Sequence, residues 1–132
     1  MRSSSGAVLF FLLLGACQSV SGGGGPGPSS LNSITVEELS AYPGSTVFQA
    51  VQRLRPAWVR PRVTTVRGAS GERYYPHVFV DGIPRGELEI LNGMNIQEVQ
   101  EIRYLSASDA TTRFGTGYPG GIIEVMTRKG ES

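Results

Sequence analysis

Apolar and polar positions are most regularly patterned in the second half of the chain. Val78-Phe79-Val80 is a short apolar, β-favouring run that stops at Asp81-Gly82, a dipeptide suited to a tight hairpin turn. Ile83-Pro84 leaves that turn, and the proline, lacking an N–H, restricts the returning segment to a sheet edge. Asn95 is placed to cap a short helix carrying Ile96 and Val99, with Glu98 near its positive N-terminal end. Ile102 to Leu105 reads as a second strand. Ser108-Asp109 is expected to cap another short helix that ends at Phe114-Gly115, where a glycine can turn left-handed. Gly121 opens a third strand, Ile122 to Thr127, closed by Arg128-Lys129-Gly130.

The preceding region reads as helical and then irregular. Thr35 and Glu38 have capping-box spacing, which opens a helix through Val36, Leu39 and Tyr42 before Pro43-Gly44 ends it. Ser45 is the expected cap of the next helix, in which Val47, Ala50, Val51 and Leu54 fall at i, i+3, i+4 and i+7 and form one buried stripe. Pro56 stops it, and Trp58 and Val59 are expected to pack over its end. The prediction is an α/β (α+β) fold, a short mixed sheet packed with two or three helices.

The N-terminus changes the picture. Arg2, the apolar run Ala7–Leu14 and the tetrad Leu14-Gly15-Ala16-Cys17 have the layout of a signal peptide, since a membrane span needs about 20 apolar residues. The tetrad resembles the lipobox of bacterial lipoproteins, which implies that Cys17 is acylated and becomes the new N-terminus; it is also the only cysteine. Gln18 follows it, where an aspartate would resemble the class retained in the inner membrane, so the resemblance implies the outer membrane. Each buried acyl methylene contributes about 0.8 kcal/mol, and two or more chains hold a protein persistently. Residues 1–16 are thus expected to be a signal and 17–31 an acylated, Gly/Ser/Pro-rich tether reaching roughly 20 Å. Residues 32–130 then form one domain with a modest core. Without Arg2 the chain carries eleven basic and eleven acidic residues, which gives no reason to expect nucleic acid.

The order and spacing of the C-terminal segments resemble the plug domain of TonB-dependent outer-membrane receptors. In that family a V-x-V-D-G-(V/I)-P turn, an I-x-x-I-x-V-L strand, an A-S-A-T-x-x-(Y/F)-G segment and a block of the form G-(V/I)-I-x-(V/I)-x-T-(K/R)-(K/R)-G follow one another. Here the matching stretches are Val78–Pro84, Val99–Leu105, Ser108–Gly115 and Gly121–Gly130. Upstream, Val47–Pro56 is similar to the family's first helix and Val63–Gly68 to its arginine-glycine strand, although Ala57 replaces the usual glycine after proline. The resemblance implies a plug-like fold. Receptors of the family continue into a barrel, which takes at least eight strands of roughly ten residues; with no such run before Ser132, the chain is not expected to be a pore by itself.

Several segments are candidates for chemistry or recognition. Ile34-Thr35-Val36 is similar to the strand by which such receptors recruit their energising partner, but the Thr35–Glu38 cap favours a helix start. Arg53, Arg55, Arg60, Arg62 and Arg67 run without an acid until Glu72, around Trp58; a solvated face is favoured over a site for lipid headgroups or an acidic protein. Gly115 to Gly120 fits G-x-G-x-x-G, yet it precedes a strand instead of opening a helix, and Pro119 interrupts it, so no nucleotide site is expected. His77, the one histidine, reads as a packing residue, Asp81 as a turn residue, and Glu87 and Glu89 as exposed. No nucleophile–base pair, metal cluster or cofactor site is suggested.

The functional expectation is a non-catalytic binding module, anchored by lipid at the periplasmic face of the outer membrane, with Arg85 and Tyr118 as possible partner contacts. The alternatives are an accessory of a transport system with a separately encoded barrel and, least supported, an enzyme.

Overall fold

The computed structural model describes residues 31–64 and 71–128. The signal segment, Cys17 and most of the tether, Arg67 and the final residues Lys129 to Ser132 lie outside the described residues.

Five strands form one mixed sheet in the order β1-β6-β7-β4-β5, where β1 is Ser33–Thr35, β4 His77–Val80, β5 Ile83–Gly86, β6 Val99–Leu105 and β7 Ile122–Thr127. Central β7 runs parallel to β4 and antiparallel to β6. A separate pair joins β2 (Arg62–Thr64) to β3 (Glu72–Tyr74). Three α-helices are described: α1 (Val36–Ser40), α2 (Val47–Leu54) and α3 (Ala107–Phe114). The mixed sheet with a few helices is the fold class expected from the pattern. Its three anticipated strands are present, and two edge strands, β1 and β5, complete it.

Four consecutive residues of β7, Ile122 to Val125, are buried, as a central strand covered on both faces requires. On one face Ile123 and Val125 pack with Val78, Ile102 and Ile34 beneath the helical layer that supplies Leu39, Val47, Ala50, Val51, Trp58, Leu88 and Leu91. On the other, Ile122 joins Phe79, Leu105 and Ala110 of α3. At about 1.5–3 kcal/mol for each fully buried aliphatic or aromatic side chain, the sheet and α2 stabilise each other.

The hairpin behaves as its sequence dictates. Asp81 and Gly82 both have positive φ, 50° and 78°, the conformation of a two-residue turn whose twist matches the strands it joins. Pro84 lies in β5 at the sheet edge.

Two helix starts differ from the sequence expectation by one or two residues, and a third expected helix is shorter than its pattern suggests. The cap of α2 is Thr46, whose hydroxyl accepts from Gln49 N–H at 3.3 Å while Gln49 Oε1 accepts from Thr46 N–H at 3.3 Å. Ser45 is otherwise engaged, its carbonyl accepting from Ile96 N–H. The cap of α3 is Ser106, which accepts from Asp109 N–H at 3.2 Å; Ser108 and Asp109 occupy its first turn. Asn95 does cap its segment, accepting from Gln97 N–H at 2.9 Å, but that segment is a single 3-10 turn, Ile96–Glu98, and Val99 already belongs to β6.

Ile34-Thr35-Val36 also divides differently. Ile34 is fully buried in β1, paired with Ile102, and Thr35 is both the end of that strand and the cap of α1, with Glu38 reaching back to its N–H at 3.1 Å. The segment is therefore committed within the domain's own sheet.

Candidate binding surfaces

Tyr118, one of the two candidate partner contacts, is half-buried. Its ring meets Phe79 edge-on at 5.5 Å and His77 at 5.2 Å, so it closes the smaller core beside α3. His77 begins β4, and its Nδ1 is buried without a hydrogen-bond partner. Among the described residues no carboxylate pairs with that imidazole. Arg85 is exposed on edge strand β5, and no recorded contact joins it to Tyr118. The glycine-rich loop that carries Tyr118 from α3 to β7 is a connector: Gly121 N–H donates to Tyr118 carbonyl at 3.0 Å, and Tyr104 hydroxyl donates to Gly120 carbonyl at 3.2 Å.

The arginines do not form one solvated face. Arg55 is drawn inward to Glu38 at 3.2 Å and to the carbonyls of Ser33 and Leu54, an acid 17 positions upstream that linear spacing hides. Arg53 lies over the Tyr42 ring and Arg62 over the Tyr104 ring, each at 5.8 Å, where ring quadrupoles attract cations. Arg60 is exposed. On the α3 face, Glu124 is buried in β7, with Arg113 at 3.5 Å and Arg103 in the facing register position. Arg103 is itself paired with Glu101 at 2.9 Å, which holds its guanidinium pKa above the ordinary value.

A cavity of about 360 Å³ opens in the helical layer, lined by Phe48 of α2, Val59, Tyr75 and the run Glu87, Leu88, Glu89 and Asn92. Sequence reasoning missed it: its walls come from four separate segments, and Glu87 and Glu89 read simply as exposed. A smaller cavity of about 190 Å³ lies between α1 and Arg128. Among the described residues no group of three His, Cys, Asp or Glu could hold a metal, and no helix is long and apolar enough to cross a membrane.

No family model and no curated protein matches the chain. Among solved structures it is similar to a chain of the RagAB peptide importer in its closed-closed state, with TM-score 0.48 and 20% identity over 73% of this chain and 12% of that one. It is also similar to the ferric enterobactin receptor of Pseudomonas aeruginosa in complex with enterobactin, with TM-score 0.46 and 20% identity over 73% of this chain and 17% of that one. The chain therefore spans only 12–17% of the length of these chains.

Proposed function

We propose that the chain is a lipid-anchored, plug-like binding module at the periplasmic face of a bacterial outer membrane, without chemistry of its own. The observation that carries the reading is the closure of the plug-like motif block on itself. Ile123 and Val125 are fully buried against α2 and its neighbours, so the α/β unit supplies its own core. The reading is supported by the lipobox-like Leu14-Gly15-Ala16-Cys17 and by the tether after it, whose length would hold such a domain within roughly 20 Å of a membrane surface.

Replacing the cysteine tests the anchor. Cys17→Ala is expected to abolish incorporation of radiolabelled palmitate and to release the domain into the soluble fraction. Retained labelling together with retained membrane association overturns the lipoprotein reading.

A transport accessory is the second reading, favoured by the order of plug-like motifs and by Arg85 on an open sheet edge. In-cell photocrosslinking from positions 85 and 118 separates the two. Recovery of a barrel protein supports transport, and recovery of soluble partners alone counts against it.

A further inference from the structure

Resting on the binding-module reading, we propose that the cavity between α2 and the 87–92 turn takes a small organic cation, an ammonium group on an apolar stem. Its volume, about 360 Å³, falls within the range of small-molecule sites, roughly 300–1,000 Å³. Phe48, Val59 and Leu88 offer apolar wall to a stem, and Tyr75 contributes an aromatic ring to the lining.

Tyr75 is the only aromatic side chain in the exposed class among the described residues, at 49% of its full accessibility. Its main chain is nonetheless fixed. The Tyr75 carbonyl and the Pro76 nitrogen press against Gly120 so closely that a Cβ there would collide with backbone. An exposed ring on a closely packed backbone can receive a cation at a lower ordering cost than one on a free loop.

The charge of the lining points the same way. Glu87 and Glu89 line the cavity, no basic residue does, and neither carboxylate has a hydrogen bond or ion pair among the described residues. Most other acids among the described residues are engaged: Glu38 with Arg55, Glu101 with Arg103, Glu124 with Arg113, Asp81 with Thr127, Asp109 with Ser106; Glu98 is also unpaired but lines no cavity. The turn that carries the two glutamates is anchored by Leu88 and the fully buried Leu91, and is closed by Ile90 N–H donating to Glu87 carbonyl at 3.3 Å. Two unpaired negative charges beside an aromatic and aliphatic wall complement a cation that brings its own hydrocarbon. The same residues do not suit a bare metal ion, since no group of three His, Cys, Asp or Glu converges among the described residues.

The test is an amide-resolved NMR titration of the full chain in detergent micelles with phenethylammonium, using the uncharged phenethyl alcohol and the anionic hydrocinnamate as matched probes. Phenethylammonium is expected to give saturable shifts at Tyr75 and across Glu87–Asn92. The alcohol should bind about tenfold more weakly, as one cation–ring contact and two partly solvated carboxylates would give, and the anion weaker still. Glu87→Gln combined with Glu89→Gln should leave the remaining spectrum unchanged and erase the preference for the ammonium over the alcohol; Tyr75→Leu should weaken ammonium binding while preserving that for the alcohol. Equal affinity for ammonium and alcohol, shifts that do not saturate or fall elsewhere, or a preference that survives the double glutamine change would each overturn the proposal. Membrane release by Cys17→Ala reads the module itself, so the two ideas fail separately.

Discussion

The carboxylate of Asp81 takes both hydrogen-bond donors of Thr127, its N–H and its hydroxyl, each at 2.8 Å and across 46 positions of chain. The Asp81 N–H in turn donates to Val125 carbonyl at 2.9 Å. A hairpin turn between β4 and β5 is thereby fastened to the far end of central β7. Thr127→Val removes only the hydroxyl bond and is expected to cost about 1 kcal/mol. Asp81→Ala loses both bonds and places a Cβ-only residue at φ 50°, for about 2–4 kcal/mol. Urea unfolding followed by the fluorescence of Trp58, the single tryptophan, reads both changes. Equal effects of the two substitutions would show that the backbone bond to Asp81 contributes nothing.

The glycines flanking the start of β7 differ from those at the surface in what surrounds them. A side chain at Gly120 would meet the backbone of Tyr75 and Pro76, and one at Gly121, at φ 86°, would meet Leu105 carbonyl and the Tyr104 hydroxyl. Backbone cannot give way as a flexible side chain does. Gly120→Ala is expected to destabilise by about 3 kcal/mol or more, or to prevent folding. Gly93 has nothing within 4 Å of its Cβ position and an ordinary φ, so Gly93→Ala should fall within about 0.5 kcal/mol of the parent. Comparing the two melting temperatures checks the contrast, and a Gly120→Ala protein as stable as Gly93→Ala would refute the close approach.

These contrasts also mark what the sequence makes legible. β4, its turn and β7 can be read because their signals are local: an apolar run, an Asp-Gly turn, a glycine and another apolar run. β1 could not be, because Ser33-Ile34-Thr35 is too short for a period and its partners, Glu101 to Arg103, lie about 70 positions away. The same distance problem hides the bond from Asp81 to Thr127 and the pairing of Glu38 with Arg55. Cap positions shift by one or two residues where neighbouring Ser, Thr and Asp compete; at α2 the cap is Thr46, which the bridge to Asn95 holds extended just before the helix. The cavity carries no local signal, since Phe48, Val59, Tyr75 and Glu87 converge only in the folded chain.

The ion pair of Arg55 and Glu38 supports two features at once. Glu38 completes the capping box of α1, and Arg55 reaches the Ser33 carbonyl of β1 while closing the end of α2. Both side chains are about four-fifths buried, at 18% and 23% exposure. Glu38→Ala removes the cap and leaves the guanidinium without its acid, at an expected cost of about 2 kcal/mol. Arg55→Met keeps the packed stem and frees Glu38 to continue capping, so its cost should be smaller, about 1 kcal/mol. A double-mutant cycle by urea denaturation should give a favourable coupling, and a coupling of zero would place the stabilisation in the cap alone.

Glu37, at the first turn of the same helix, has its carboxyl pKa held below the ordinary value of 4.5, chiefly by a hydrogen bond from the Thr35 side chain and next by a backbone hydrogen bond. The sign follows from linkage: a carboxylate that binds its proton less readily in the folded state contributes stability that is present in full above its unfolded value. That contribution disappears as pH falls through the folded value, so whatever Glu37 adds to the start of α1 should fade below the ordinary carboxylate range rather than near neutrality. An NMR titration of the Glu37 side chain is expected to show its midpoint below 4.5 in the parent. Thr35→Val, which withdraws the hydroxyl and keeps the branched shape suited to β1, should return that midpoint toward the ordinary value. A midpoint identical in the two proteins would mean that the backbone bond alone holds the Glu37 carboxylate.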